Sequence, residues 1–182
     1  MSTGTIHLSD ECYNYIINNL EKNKTILELG SGYGSTVRLS KHFNMISVEN
    51  QPEWQDKYEG VTTYINVGNR MYGIEPQWWN ENDKKFEAYE GFDKYDKGWY
   101  NPDELIPRLP EKNDYHLILI DGPGGWLGRS GFLKYLNHFN TDIPIILDDA
   151  HRPQELLMLK ILSKKLNKSY IILQDNTTGV IK

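Results

Sequence analysis

Short apolar runs alternate with amphipathic segments along most of the 182-residue chain. The runs have the length of β-strands, and they carry the apolar residues expected of strands that are buried on both faces. Helical segments between consecutive strands indicate parallel pairing, because a parallel connection needs a crossover. The predicted strands span residues 24–29, 45–49, 61–67, 115–121, 143–149, 169–174 and 178–181.

The predicted helices follow from apolar spacing and from residues that favour helix starts. Ser9 can cap a helix over 10–21, whose apolar face we expect to cover the sheet edge before the first strand. Pro153 can begin another helix. Further helices are predicted at 35–42, 52–58 and 130–139. The fold class is therefore α/β, with a doubly wound, mostly parallel seven-stranded sheet that ends in an antiparallel hairpin.

A glycine-rich turn joins the first strand to the next helix, in the run Glu28-Leu29-Gly30-Ser31-Gly32-Tyr33-Gly34. Glycines let the backbone turn tightly and approach a ligand, and a helix N-terminus offers free N–H groups. The spacing differs from the G-x-G-x-x-G dinucleotide fingerprint and so disfavours an NAD-linked enzyme. An ordinary α/β turn with a surface glutamate is the alternative reading.

The pattern E-x-G-x-G-x-G resembles motif I of the class I S-adenosylmethionine (SAM) methyltransferases, which have a Rossmann-like fold. The resemblance implies that Glu28 lies near the amino group of SAM. It also implies that Glu49, at the end of the next strand, holds the ribose hydroxyls, as a carboxylate can accept two charge-assisted hydrogen bonds. The cofactor-binding residues that we predict are Glu28, Gly30, Ser31, Gly32, Gly34, Ser35, Glu49 and Asp121.

Three further carboxylates lie at the ends of predicted strands: Asp121, Asp148 and Asp149. In an open α/β sheet the carboxyl ends of the strands border one crevice, so we expect these side chains to meet there. Neighbouring carboxylates repel one another unless a cation, a proton or a basic group compensates. Oxygen ligands suit Mg²⁺ or Mn²⁺, which makes this trio a candidate metal site. Helix capping ahead of Pro153 is the alternative role for the Asp148-Asp149 pair.

The same aspartates resemble the metal site of the metal-dependent O-methyltransferases of the catechol and macrolide-sugar types. Together with Val48-Glu49, Trp54 and Asp121-Gly122-Pro123, they also look like the glucuronoxylan O-methyltransferase group. The likeness implies that a divalent cation binds an acceptor hydroxyl and lowers its pKa. The catalytic residues predicted on this basis are Asp121, Asp149 and His151.

Four residues near the aspartates have open roles. His151 is a general base, a further metal ligand or a polar loop residue. Arg129 and Arg152 either bind an anionic group of the acceptor or pair with the acidic cluster. Trp126 is a substrate platform or packs against residues 68–113.

Residues 68–113 are too long for an ordinary connection and contain nine of the chain's 22 aromatic residues. They form a lid over a substrate, a homo-oligomer interface or a small satellite core. Apart from this insert, the length of the chain suits one domain over residues 1–182.

Composition narrows the function. A net charge of −5 argues against nucleic acid as the main partner. The single cysteine, Cys12, excludes an internal disulfide, and no apolar run suggests a signal peptide or a membrane span. The sequence thus predicts a cytoplasmic SAM-dependent enzyme that uses Mg²⁺ or Mn²⁺ to O-methylate a small polar acceptor such as a sugar. Alternatives are an N-methyltransferase, a SAM lyase or hydrolase, and a non-catalytic nucleotide-binding module.

Overall fold

The computed structural model describes residues 8–71, 97–125 and 127–182. The strands of its central sheet are β1 Thr25–Leu29, β2 Asn44–Glu49, β3 Val61–Asn66, β6 Leu117–Ile120, β7 Ile145–Leu147, β8 Tyr170–Ile172 and β9 Gly179–Ile181, with β4 Asn69–Met71 and β5 Gly98–Tyr100 in a separate antiparallel pair. The seven-stranded sheet has the order β3-β2-β1-β6-β7-β9-β8, and β9 is antiparallel to both its neighbours while the other pairs are parallel. The predicted sheet and its C-terminal hairpin are confirmed.

The helices lie on both faces of this sheet. In the described ranges they are α1 Asp10–Asn19, α2 Thr36–Leu39, α3 Pro102–Leu105, α4 Gly131–Lys134 and α5 Pro153–Leu166, with 3-10 turns at Ile106–Arg108 and Leu136–His138. The Ser9 side chain accepts a hydrogen bond from the Cys12 amide at 3.0 Å, which confirms the predicted cap of α1. Cys12 itself is a buried free thiol.

Successive side chains along each strand point to opposite faces of the sheet, so the core has two layers. Leu27 faces a cluster that contains Leu159 and Leu162 of α5. Its neighbour Ile26 faces the opposite cluster, which contains Cys12 and Ile16 of α1. Helix α1 therefore packs on a face of the sheet, over its central strands, and the prediction that it covers a sheet edge is wrong.

Three helix predictions need correction. Residues 52–58 form turns without a helix, and Asp56 in this segment has a left-handed φ of 52°, which no α-helix accommodates. The helix predicted at 35–42 is limited to Thr36–Leu39. The one predicted at 130–139 divides into α4 and the 3-10 turn that follows it.

Two aromatic residues of the segment 68–113 belong to the main core. Trp99 and Tyr100 are fully buried there, and the Trp99 ring stacks on Tyr135 with the ring centroids 5.2 Å apart. A Cβ at Gly131 would lie 2.1 Å from the same indole, so α4 begins directly against it. The other seven aromatic positions of this segment lie outside the described residues, and its role as a lid or an interface stays a prediction.

None of the helices in the described ranges combines the length and the apolar character that crossing a membrane requires.

Candidate functional site

A cavity of about 940 Å³ lies at the carboxyl ends of the parallel strands, where ligands bind in open α/β sheets. Gly30 follows β1, Glu49 ends β2, Asp121 follows β6, and the Asp148-Asp149 pair follows β7. All five border this cavity, so the structure brings together the strand-end residues singled out in the sequence. Its volume is that of a pocket for a small molecule.

The glycine loop begins with an unusual backbone conformation at Gly30. Its φ of +95° is one that residues with a side chain rarely adopt, and its amide donates to the Val48 carbonyl at 2.9 Å. A Cβ at Gly32 would meet only the Ser35 hydroxyl, at 3.5 Å. The fold itself therefore requires a glycine at position 30, whereas it leaves space for a side chain at position 32.

The buried Glu28 side chain holds the glycine loop through hydrogen bonds. Its carboxylate accepts hydrogen bonds of 2.7 Å from the Thr36 and Ser47 hydroxyls, and the Thr36 oxygen in turn accepts one from the Gly32 amide at 2.8 Å. Burial raises the pKa of Glu28 to about 7, against the opposing effect of the hydroxyls of Ser35, Ser47 and Thr36. Glu28 is 0% exposed and lies behind the cavity wall, as do Gly34 and Ser35.

Glu49 lies on the cavity wall and holds the other side of the loop. One carboxylate oxygen accepts from the amide and the hydroxyl of Ser31, both at 2.9 Å. The second oxygen accepts from the Asn50 and Gln51 amides, both at 2.8 Å. These four bonds match the acceptor capacity of a carboxylate. A ribose hydroxyl that binds Glu49 would therefore replace one of them, and the Ser31 hydroxyl has an alternative acceptor in the Trp54 carbonyl at 3.3 Å.

Asp121, Asp148 and Asp149 each place a carboxylate oxygen within 4.8 Å of the others. Desolvation raises the pKa of Asp121 well above its usual range, and the charge of Asp148 adds to the effect. The pKa of Asp148 is raised by burial and then by the charge of Asp149, and Arg129 opposes both shifts. A trio of close carboxylates is a suitable oxygen donor set for a hard divalent cation.

Arg129 is buried beneath this trio. Its guanidinium donates to the carbonyls of Asp121 at 2.6 Å and Asp148 at 2.7 Å, and to the Asp149 carboxylate at 2.9 Å. Arg152 also donates to that carboxylate, at 2.8 Å. Of the two roles that the sequence left open, pairing with the acidic cluster is the one that both arginines perform here, while contact with an acceptor stays a prediction.

Of the remaining predicted site residues, one borders the cavity and one lies outside the described residues. His151 is exposed and borders the cavity beside Asp149. Trp126 lies outside the described residues. The left-handed φ of 60° at Asp149 turns the chain sharply between β7 and His151.

Residues at the start of α1 and one residue of α2 form a part of the cavity wall that the sequence did not predict. Leu8, Ser9 and Asp10 border the cavity together with Arg38. Ser9 donates a hydrogen bond to Asp175, in the turn between β8 and β9. The partners in these contacts are far apart in the chain, so no local pattern could have revealed them.

No protein-family model and no curated protein matches the chain. Among solved structures, 92% of it superposes on 83% of a TehB-like SAM-dependent methyltransferase from Corynebacterium glutamicum, with a TM-score of 0.51 and 13% identity. MycE, a methyltransferase from the mycinamycin biosynthetic pathway in complex with Mg and SAH, gives a TM-score of 0.48 at 11% identity over 93% of this chain and 44% of that one. The B. subtilis tRNA methyltransferase TrmK gives 0.48 at 11% identity, over 97% of this chain and 65% of its own. The fold is therefore the Rossmann-like fold found in SAM-dependent methyltransferases.

Proposed function

We propose that the protein is a SAM-dependent methyltransferase that transfers a methyl group to an oxygen of a small polar acceptor, such as a sugar or a sugar-containing metabolite, with the help of a divalent cation. One observation carries the proposal: the Glu49-held glycine loop and the cluster of three aspartates border the same cavity. A nucleoside and an acceptor bound there would lie side by side.

The glycine loop fits a nucleoside cofactor. Gly30 and Gly32 leave their backbone accessible, and Glu49 and Trp54 border the cavity beyond them. Glu49 would hold the ribose hydroxyls once the Ser31 hydroxyl turns to the Trp54 carbonyl. Glu28 would act indirectly, since it fixes the Gly32 amide through Thr36.

The aspartate trio fits a divalent cation in its donors and in its charge. Its oxygen atoms are hard ligands within 4.8 Å of one another. Arg129 binds Asp149 at 2.9 Å and also lies 3.6 Å from Asp121, and Arg152 binds Asp149 at 2.8 Å, so two positive charges face three close carboxylates. Repulsion by Asp148 adds to the raised pKa of Asp121, and repulsion by Asp149 adds to that of Asp148. A cation would relieve that repulsion.

The residues of the chain would have separate roles in the methyl transfer. Asp121, Asp148 and Asp149 would hold the ion and orient the acceptor. A bound Mg²⁺ or Mn²⁺ ion supplies the Lewis acidity that lowers the pKa of an acceptor hydroxyl. His151, at the edge of the same cavity, would accept the acceptor's proton, because an imidazole can act as a general base. The carboxylate-rich wall favours an acceptor with several hydroxyl groups, which is the basis for proposing a sugar.

Calorimetry on chelator-treated protein tests the cofactor first. We expect SAM and S-adenosylhomocysteine to bind without metal, because the glycine loop and Glu49 lie on a different set of strands from the aspartates. A protein that binds neither nucleoside would contradict the proposal at its foundation.

The metal is tested with Mn²⁺ titrations of wild type, Asp121→Asn and Asp149→Asn. Asp142→Asn is the matched control, since Asp142 is an exposed aspartate in the turn before β7. We expect Mn²⁺ binding to be lost in the two site variants and kept in the control.

Incubation with labelled SAM and a panel of sugars and polar metabolites then tests transfer, and product formation unaffected by EDTA would rule out the metal's role. Cleavage of SAM without an acceptor would indicate a lyase or hydrolase instead.

A further inference from the structure

Among the described residues, carboxylates outnumber arginines along the cavity wall by five to three, and the arginines are not equivalent. Three arginines border it in the described part of the chain. Arg129 and Arg152 are both paired with Asp149, at 2.9 and 2.8 Å. Arg38 lies on α2, and its ion pair is with Asp10, which is not one of the aspartate trio.

Arg38 is held in place by weak and exchangeable contacts. It donates to the Leu8 carbonyl at 3.0 Å, and its guanidinium lies 4.1 Å from the Tyr13 ring centroid. Its ionic partner is Asp10, at 2.7 Å, but the Asp10 side chain is 89% exposed. An ion pair this exposed contributes little stability, so another carboxylate can take the place of Asp10. The two hydrogen bonds also use only part of the donor capacity of a guanidinium.

SAM has three parts that must be placed in this cavity. Its ribose fits at Glu49, and its methyl group must face the aspartate trio, where the acceptor would bind. The α-amino acid end is then left with the third part of the wall, formed by Leu8, Ser9 and Arg38. That end carries a carboxylate, which Glu49 and the aspartate trio would repel, and Arg129 and Arg152 are already paired with Asp149.

We propose that Arg38 binds the α-carboxylate of the cofactor, exchanging Asp10 for it. The inference rests on the proposed function, since it assigns a subsite for one end of SAM. Leu8 and Tyr13 pre-orient the planar guanidinium, which can then take a carboxylate through two parallel hydrogen bonds. The subsite makes the protein selective for nucleosides that carry an amino acid over those that do not.

The test compares SAM with decarboxylated SAM, which keeps the sulfonium and the amine and lacks only the carboxylate. Calorimetry is carried out on wild type and on Arg38→Gln. We expect Arg38→Gln to weaken SAM binding by about ten- to hundredfold, the worth of a charge-assisted hydrogen-bonded pair, and to change binding of decarboxylated SAM less than about twofold. Equal losses for both ligands, or no loss for SAM, would overturn the inference.

Two further variants sharpen the result. Arg70→Gln removes a β4 arginine that pairs with the exposed Asp103 outside the cavity, and it should leave both affinities unchanged. Asp10→Asn removes the competing carboxylate and should tighten SAM binding; weaker binding in this variant would contradict the exchange. A wild-type protein that binds neither ligand would overturn the proposed function as well. Binding of both ligands with equal affinity would overturn the carboxylate subsite alone.

Discussion

Gly30 and Gly122 lie back to back, and a Cβ added to either would be 2.6 Å from the Cα of the other. This contact joins the loop after β1 to the loop after β6. It brings the proposed cofactor loop against the segment that carries Asp121. The two halves of the candidate site are therefore fixed relative to each other by backbone atoms, with no side chain between them.

Gly30→Ala should destabilise the protein by about 2 to 4 kcal/mol, since it adds an overpacked contact to a left-handed backbone. Gly32→Ala is the control, because its Cβ would meet only the Ser35 hydroxyl at 3.5 Å. We expect Gly32→Ala to unfold like wild type in urea while losing affinity for S-adenosylhomocysteine. A Gly30→Ala protein as stable as wild type would show that the two loops can separate.

Glu28 should make folding stability depend on pH. Its pKa rises from 4.5 in the unfolded chain to about 7 in the fold. The folded state therefore binds the proton more tightly, and the stabilisation is complete below the lower value and lost as the pH rises through the upper one. Between about pH 4.5 and pH 7 the wild type should lose about 3 kcal/mol relative to Glu28→Gln. Urea unfolding of both proteins across this range measures the difference, and parallel profiles would contradict it.

The two arginines on Asp149 should differ sharply in their contribution to stability. The Arg129 side chain is 3% exposed, and Arg129→Met removes its ion pairs with Asp121 and Asp149 together with its hydrogen bonds to two main-chain carbonyls, so it should cost about 3 to 5 kcal/mol. The Arg152 side chain is 41% exposed, and Arg152→Met should cost less than about 1 kcal/mol. Chemical denaturation of the two variants makes the comparison. Equal costs would show that Arg129 does not organise the loops after β6 and β7.

Substitutions of Ser31 and Glu49 should have opposite effects on the affinity for S-adenosylhomocysteine. Ser31→Ala removes the donor that a ribose hydroxyl would replace, so S-adenosylhomocysteine should bind at least as tightly as to wild type. Glu49→Gln removes the charge that holds both the loop and the diol, and affinity should fall by about ten- to hundredfold. Calorimetry distinguishes these outcomes. If Ser31→Ala weakened binding as strongly as Glu49→Gln, the hydroxyl would itself be the ligand.

Strand periodicity and loop chemistry made much of this structure predictable. The apolar runs around Leu27 and Ile118 pair in register in the sheet, and Glu49 and Asp121 lie at the ends of strands as expected. These features depend on local sequence and on the rule that parallel strands share their carboxyl edge.

The parts that the sequence did not reveal depend on contacts between distant residues. Arg129 binds a carboxylate 20 positions away, and Arg38 pairs with Asp10 over 28 positions. A long side chain can reach many partners, so its sequence position says little about which one it finds. The turn at 52–58 was missed for another reason: the left-handed φ of Asp56 opposes a helix, while the residue type alone does not require it.

The contact between Ser9 and Asp175 spans 166 positions and ties the two ends of the described chain together. One wall of the cavity, at Ser9, is therefore set by the final β8–β9 turn. During synthesis the glycine loop is made before β8 and β9, so the wall at Ser9 lacks its contact with Asp175 until these two strands have been made and paired. We expect a nascent chain to gain its full affinity for the nucleoside only then, so that the bound cofactor reports on a completed sheet.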